Sequence, residues 1–237
     1  MLDDDRIPSA EVLQALPIFP LPNAVLLPGM MLPLNVFEPR YLALVDHVLA
    51  RTRMIGVPLL RPGYESEYEG RPAIESVFGV GRMVSHHRLP DGRRFIRLEG
   101  LRRVRAVREL APRAPFRELE AELLPEERPS DAHQLEVLKA QLERISVTLR
   151  PEDQQIIESI LGIPDSRTLI YAVAAIVPTL SMMPEPLVAG RSAFLDLQQQ
   201  CLDAETADGR VAYLLEAAAS VCGRLQDSGR FPRMVLN

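Results

Sequence analysis

The chain has 237 residues, of which 47% are hydrophobic and 25% are charged, and its formal net charge is −5. This composition supports a buried core in one large domain or two modest ones, and it excludes a largely disordered chain. Residues 1–122 carry 17 arginines against 16 acidic residues, and residues 123–237 carry 10 basic against 16 acidic residues. Neither half is basic enough to indicate a chain built mainly to hold nucleic acid or anionic lipid.

An apolar stretch lies close to the N-terminus, at residues 17–41, and reads PIFPLPNAVLLPGMMLPLNVFEPRY. It holds six prolines, and the chain before it begins with the acidic sequence MLDDDR. A signal peptide begins with basic residues, and a membrane-spanning helix needs about 20 consecutive apolar residues without repeated prolines. We therefore expect a soluble, cytoplasmic protein in which this stretch forms strands of a core.

The remainder of the first half also predicts strands, which Pro, Gly and Asp residues separate. The sequence Pro-Asp-Gly at 90–92 stands between two strand-like runs, and glycine can adopt the positive φ of a tight turn. We therefore predict a β-hairpin over residues 80–98. Gly100 marks a bulge or bend in its second arm.

One helix is predicted within this β region, over residues 39–50. Pro39 suits the first turn of a helix, and apolar residues then recur at helical spacing. Glu38 and Arg40 flank this proline. We interpret them as a structural pair that fixes the helix start by capping, in preference to a site that binds a substrate backbone.

The hydrophobic periodicity changes from two to about 3.6 after the sequence LLPEERPS at residues 123–130, which indicates a domain boundary. The helices predicted beyond it span residues 130–149, 151–161, 166–177, 191–203 and 206–226. This order indicates an α+β protein. A β-barrel-like module with one short helix occupies residues 1–122, and an all-α module occupies residues 123–237.

These sequences resemble a known family. Residues 17–41 are similar, almost position for position, to the opening of the substrate-binding N-terminal domain of Lon proteases. Residues 80–110, with the pattern E-G-x-x-R-x-R, and residues 196–218 are also similar to that domain. The resemblance implies a PUA-like β-barrel followed by a C-terminal helical bundle. It also implies a module that binds polypeptides, either substrates or a partner protein.

A complete Lon protease also has an ATPase module and a Ser-Lys protease module, and we expect a stand-alone member without either. A Walker A loop and a Ser-Lys dyad both need a lysine, and the single lysine, Lys139, lies within an amphipathic helix. The cysteines, Cys201 and Cys222, do not have the spacing of a zinc site, and their pairing is left open. We expect no enzymatic activity, no cofactor and no metal.

Apolar loop residues are the candidates for polypeptide binding, because methionine adapts to varied apolar shapes. The candidates are Pro28, Met30, Met31, Leu89, Pro90, Met182 and Met183. The strand-like setting of Met31 and Leu32 favours the core for these two residues. For Met182 and Met183, which lie between prolines, core and surface are about equally supported.

An arginine-rich strip at residues 88–108 offers an alternative, because a PUA-like barrel with such a strip can bind RNA phosphates. The candidate RNA-binding residues are Arg88, Arg93, Arg94, Arg97 and Arg103. Phe95 is the only aromatic residue in the strip, which is poor for base stacking. A solvated face is therefore the favoured interpretation of the strip, and ion pairing with the acidic helical half is one form that it could take.

Overall fold

The structure is a computed structural model. It describes residues 7–68, 70–177, 187–188 and 191–227. The chain divides into two compact units, residues 1–126 with 189–191 and residues 127–188 with 192–237. The boundary predicted after residue 122 stays a prediction. Within the described ranges, no helix has both the length and the apolar character that crossing a bilayer demands.

Six strands form the sheet of the first unit: β1 (Leu16–Ile18), β2 (Met31–Val36), β3 (Met54–Val57), β4 (Val77–Arg88), β5 (Arg94–Glu109) and β6 (Arg117–Leu123). Their order is β2-β5-β4-β3-β1-β6, and β5 also pairs with β6. The β1–β3 pair is parallel and the others are antiparallel. The pairings therefore run in a closed ring through β1, β3, β4, β5 and β6. Among the described strands, β2 pairs with β5 alone.

In the described part of the first unit, the sheet is accompanied by two α-helices, the 3-10 helix Tyr64–Glu67 and two apolar clusters. The α-helices are α1 (Ala10–Gln14) and α2 (Pro39–Leu49). The sequence analysis predicts α2 closely but not α1. One cluster packs α2 against β2, β3, β4 and β5, with Leu44 and Ile96 fully buried. The other, which includes Phe78, lies among the strands of the ring.

The predicted hairpin is confirmed. β4 and β5 pair in an antiparallel register on either side of a turn in which Gly92 has a φ of 88°. This left-handed conformation is the one that favours glycine. The register shifts beside Gly100, where Leu101 is the extra residue of a bulge. The bulge therefore lies where the sequence analysis places it.

The chain at residues 26–30 lies in direct contact with this hairpin. A Cβ atom added to Gly79 would lie 1.8 Å from the carbonyl oxygen of Leu26, and one added to Gly100 would lie 2.1 Å from that of Leu27. Two backbone hydrogen bonds, of 2.8 and 2.9 Å, join Gly100 to residues 29–30. Only a glycine leaves room for such an approach of one backbone to another.

The second unit contains the helices α3 (Ala132–Ser146), α4 (Pro151–Leu161), α5 (Ser166–Ile176), α6 (Ala193–Asp203) and α7 (Ala207–Asp227). Each corresponds to a predicted helix. Two short strands, β7 (Leu187–Val188) and β8 (Arg191–Ser192), precede α6. α7 packs against α3, α5 and α6. Residues 169–174 of α5 are buried.

The substitution Gly79→Ala is expected to lower the free energy of unfolding of the first unit by about 3 kcal/mol, because the backbone at Leu26 must move. Denaturant unfolding followed by circular dichroism measures this change. Gly223→Ala in α7 is the control, since nothing lies within 4 Å of the added carbon. This control should stabilise the chain by up to about 1 kcal/mol. A Gly79→Ala variant as stable as the parent chain would contradict the close approach.

Candidate functional site

One face of β2, β5 and β4 carries side chains that point away from the apolar core. Its residues lie opposite one another in a first row of Met31, Glu99 and Arg82, a central row of Pro33, Arg97 and Ser85, and a third row of Asn35, Phe95 and His87. The alternate residues, such as Ile96 and Leu98, are buried, as the alternation of strand side chains requires. We call the three rows, together with Val84 in the adjacent bulge of β4, the outer face.

Apolar side chains are exposed on the outer face. Met31 is 42% exposed, Phe95 is 37% exposed and Val84 is 44% exposed. Phe37, directly after the last residue of β2, is 62% exposed. Single exposed apolar residues are common on folded proteins, whereas larger contiguous groups are typical of interaction surfaces.

The sequence PGMM at 28–31 is divided between interior and surface. Pro28 is buried, Met30 is half-buried and Met31 is exposed. The expectation that Met31 belongs to the core is therefore wrong, because its side chain lies on the outward side of β2. Leu32, the next residue, is half-buried and packs against the core cluster around α2. Of these residues, only Met31 lies on the outer face.

The other candidate loops have different outcomes. At the tip of the β4–β5 hairpin, Leu89 is half-buried and Pro90 is exposed. This tip directly follows the end of β4, where His87 belongs to the third row of the outer face. Met182 and Met183 lie outside the described residues.

Three exposed apolar residues on or beside the outer face are not among the polypeptide-binding candidates of the sequence analysis: Phe95, Val84 and Phe37. The alternation in RFIRL could have identified Phe95, because Ile96 and Leu98 on one face place residue 95 on the other. Val84 is exposed at a bulge that no sequence pattern marks. Phe37 lies between β2 and α2, where neither strand nor helix periodicity applies.

Most arginines of the strip are paired with carboxylates of their own unit. The shortest contacts are Arg93–Asp91 at 2.6 Å, Arg94–Asp46 at 2.6 Å, Arg105–Glu122 at 3.1 Å and Arg108–Glu120 at 2.7 Å. The hydrogen bonds from Arg93 hold the pKa of Asp91 below its usual range. These four arginines therefore pair with carboxylates of the first unit and not with the acidic helical half. Arg88 and Arg97 make no ion pair within the described part of the chain.

Arg103 is not part of a solvated strip, because it is only 1% exposed. Its Nε donates to Glu126 Oε1 at 2.8 Å, and one of its terminal nitrogens donates to the carbonyl of Pro125 at 2.8 Å. Removing one partner of a buried ion pair leaves the other charge uncompensated, which is strongly destabilising. The assignment of Arg103 as an RNA ligand is corrected accordingly. Arg103 holds the chain that follows β6 against β5.

Glu38, Arg40 and Tyr68 form a network at the start of α2. Arg40 Nε donates to Glu38 Oε2 at 2.9 Å, Arg40 Nη1 donates to the carbonyl of Tyr68 at 3.1 Å, and the Tyr68 hydroxyl donates to Glu38 Oε1 at 2.8 Å. The Arg40 guanidinium also lies 4.7 and 4.9 Å from the ring centroids of Tyr41 and Tyr68. Glu38 makes no side-chain capping hydrogen bond. The pair therefore ties α2 to the segment around Tyr68 and does not cap the helix.

Metal-binding groups are not assembled in the described part of the chain, where no cluster of three or more His, Cys, Asp or Glu side chains could hold an ion. Cys201 is buried, Cys222 is half-buried, and the two sulfurs are not joined in a disulfide. Burial raises the pKa of the Cys222 thiol, which makes it a poor nucleophile at neutral pH.

Comparison with known proteins decides the family. Residues 15–182 match the family model of the ATP-dependent protease La (LON) substrate-binding domain. The chain belongs to this family. It is 29% identical to the Lon protease of Roseiflexus castenholzii over 206 residues, which are 86% of this chain and 24% of that protein. It is 33% identical to Lon protease 2 of Sorangium cellulosum over 141 residues, which are 58% of this chain and 17% of that protein.

The fold of this chain is also similar to a solved structure, the N terminal domain of Mycobacterium avium complex Lon protease. The two have a TM-score of 0.62 and 15% sequence identity, over 87% of this chain and 98% of that one. The family membership inferred from the sequence is confirmed. The match is to the substrate-binding domain and not to the ATPase or protease parts of these enzymes, so it gives no support for catalysis.

Alkaline pH is expected to destabilise the folded chain. Burial raises the pKa of Tyr41 to about 12. Between pH 10 and 12 the unfolded chain loses the Tyr41 proton while the folded chain keeps it, so stability falls as the pH rises. A shift of two pKa units corresponds to a loss of about 3 kcal/mol.

Denaturant unfolding between pH 9 and 12 measures this loss, and Tyr41→Phe should reduce it. Tyr213→Phe, at an exposed residue of α7, is the control and should behave as the parent chain. If the pH dependence of stability in Tyr41→Phe equals that of the parent chain, the loss of stability does not arise from Tyr41.

Proposed function

We propose that this chain is a non-enzymatic protein-binding module that engages unfolded or exposed apolar polypeptide segments, or a partner protein that presents one. The observation that carries the proposal is the exposure of Met31, Val84 and Phe95 together on the outer face. The family supports it, because the matched family is described as a substrate-binding domain. The outer face lies within the matched residues 15–182.

We also propose the arrangement of the two domains and a cytoplasmic location for the chain. The closed ring of strands supports a PUA-like β-barrel at residues 1–122. The contacts of α7 with α3, α5 and α6 support a helical bundle at residues 123–237. The unbridged cysteines favour the reducing cytoplasm. The Lys139 ammonium lies 2.8 Å from Glu136 in a partly exposed ion pair on α3, which supports a lysine without a catalytic role.

The outer face is suited to weak and loosely specific binding. Met31, Val84 and Phe95 are each partly exposed, so burying the rest of each side chain contributes about 1 kcal/mol. Three such contributions leave affinity in the weak range unless backbone hydrogen bonds add to them. Met31 can adapt its flexible side chain to different apolar partners. These properties fit transient recognition of many segments better than tight binding of one.

The RNA-binding alternative has less support. Of the arginines proposed for it, Arg103 is buried, and Arg93 and Arg94 are paired with carboxylates. Arg88 and Arg97 remain as exposed arginines without an ion pair in the described residues. Two phosphate contacts supply little of the salt-dependent affinity that RNA binding requires.

The double substitution Met31→Ala and Phe95→Ala is expected to weaken binding of an unfolded protein about tenfold, because it removes much of the exposed apolar area. The probe is reduced, carboxymethylated α-lactalbumin, whose affinity is measured by fluorescence anisotropy. Native α-lactalbumin should not bind. Val107→Ala is the matched control, since Val107 is 54% exposed on β5 but lies outside the outer face. Failure of the parent chain to bind the unfolded probe at high micromolar concentration would end the proposal, and equal binding by the double variant would exclude the outer face.

The double substitution Arg88→Glu and Arg97→Glu is expected to leave the retention of a single-stranded RNA on filters unchanged and weak. Arg105→Glu, at a residue paired with Glu122, is the control for the change of charge. Salt-sensitive retention that the double variant abolishes and Arg105→Glu preserves would favour RNA binding instead.

A further inference from the structure

The outer face ends at an open strand edge. β2 pairs with β5, and among the described strands it has no neighbour on its other side. The carbonyl oxygen of Met30 accepts a hydrogen bond of 2.9 Å from Gly100 on β5. Since the N–H and C=O of one strand residue point to the same side and those of the next residue to the opposite side, the backbone groups of Met31, Pro33 and Asn35 face the free edge. In the described part of the chain, no hydrogen bond joins these edge groups to another element.

Pro33 is consistent with this arrangement. A proline is tolerated in an edge strand where its missing N–H would have faced away from the neighbouring strand. The free edge therefore presents two N–H donors, from Met31 and Asn35, and three carbonyl acceptors, from Met31, Pro33 and Asn35. An added strand can form hydrogen bonds on both sides of Pro33.

The charges of the outer face are concentrated in its central row. In the first row, Glu99 lies opposite Arg82, so opposite charges are adjacent. In the central row, Arg97 lies between Pro33 and Ser85, and no carboxylate pairs with it within the described residues. The third row contains no carboxylate and no arginine. The uncompensated positive charge nearest the free edge is therefore that of Arg97.

We propose that the free edge of β2 binds an extended polypeptide segment as an added strand, and that it selects the pattern apolar–x–acidic–x–apolar with the acidic residue opposite Pro33. An added strand would lie about 10 Å from β5, twice the spacing of adjacent strands. The side chain of Arg97 is long enough to extend past the small ring of Pro33. It can then reach the carboxylate of the acidic residue on the added strand. The apolar residues two positions before and after the acidic residue would then extend the first row, which contains Met31, and the third row, which contains Phe95. This inference rests on the proposed polypeptide-binding function.

A second copy of this chain is a poorer occupant of the edge. Symmetric pairing of two β2 strands would bring two Pro33 residues to the centre of the contact, where neither supplies an N–H. It would also place two Arg97 side chains on the same face, where like charges repel. A foreign segment with a central acidic residue avoids both penalties.

The first test compares three fluorescent peptides of one sequence that carry Glu, Gln or Lys at the central position, measured on the full chain at low ionic strength. The Glu peptide should bind about threefold more tightly than the Gln peptide, and about tenfold more tightly than the Lys peptide. Arg97→Glu should reverse the order of the Glu and Lys peptides. Arg105→Glu, on the same strand but outside the outer face, should keep the original order.

The second test uses the parent chain and changes only the peptide backbone. N-methylation of alternate amides in the Glu peptide removes donors and blocks one edge of the added strand. One set of alternate positions should weaken binding by at least about tenfold, and the other set should have little effect. Asn35→Pro, which removes an edge donor, should also weaken binding, whereas Asn35→Ala should not.

The outcomes separate this inference from the function on which it rests. If unfolded α-lactalbumin binds but neither the central charge nor the alternation of N-methyl groups matters, the added-strand inference is overturned and the binding function stands. If no polypeptide binds, both are overturned. Sedimentation that shows a dimer, abolished by Asn35→Pro, would overturn it in favour of a second copy.

Discussion

The direct contact between the backbone at residues 26–27 and the glycines of the hairpin is the constraint on which the arrangement of the first unit depends. Because Gly79 and Gly100 have no side chains, this segment lies against the hairpin, and hydrogen bonds to Gly100 fix where β2 begins. The register of β2 on β5 follows, with Pro33 opposite Arg97. A slip of one residue would turn Pro33 inward and expose the apolar residues on either side of it. The outer face therefore depends on two glycines that do not belong to it.

The buried and half-buried charges have a related role. Arg103 and Glu126 hold the end of the strand region, and Glu38 and Arg40 hold α2 to the segment around Tyr68. In the sequence these charged residues stand out as candidates for binding. In the structure their side chains form ion pairs and hydrogen bonds with one another. On the outer face, the groups that the described structure leaves for a partner are exposed apolar side chains, open backbone groups and Arg97. A polypeptide offers complementary groups for all three.

Local patterns in the sequence predict local structure well in this chain. The helical periodicity identifies α2 and the helices from α3 to α7, and the turn around Gly92 identifies the hairpin. α1 is missed because five residues are too few for a period to show. Which arginine of the strip is buried could not be predicted, since Arg103 meets a carboxylate 23 positions away. Alternation separates the two faces of β2 but does not say which one the core covers, and so Met31 was assigned to the wrong side.

An open strand edge that binds polypeptides must also avoid pairing with its own copies. Charged side chains and proline are common protections of such edges, because they penalise strand addition without a matched partner. In β2 these two protections are Pro33 and, on the adjacent strand, Arg97. The same features define what a foreign segment must supply. Its central residue must not need a hydrogen bond from a backbone N–H at Pro33, and it must offer a carboxylate to Arg97. Protection against self-association and selection of a partner are therefore two consequences of one local arrangement.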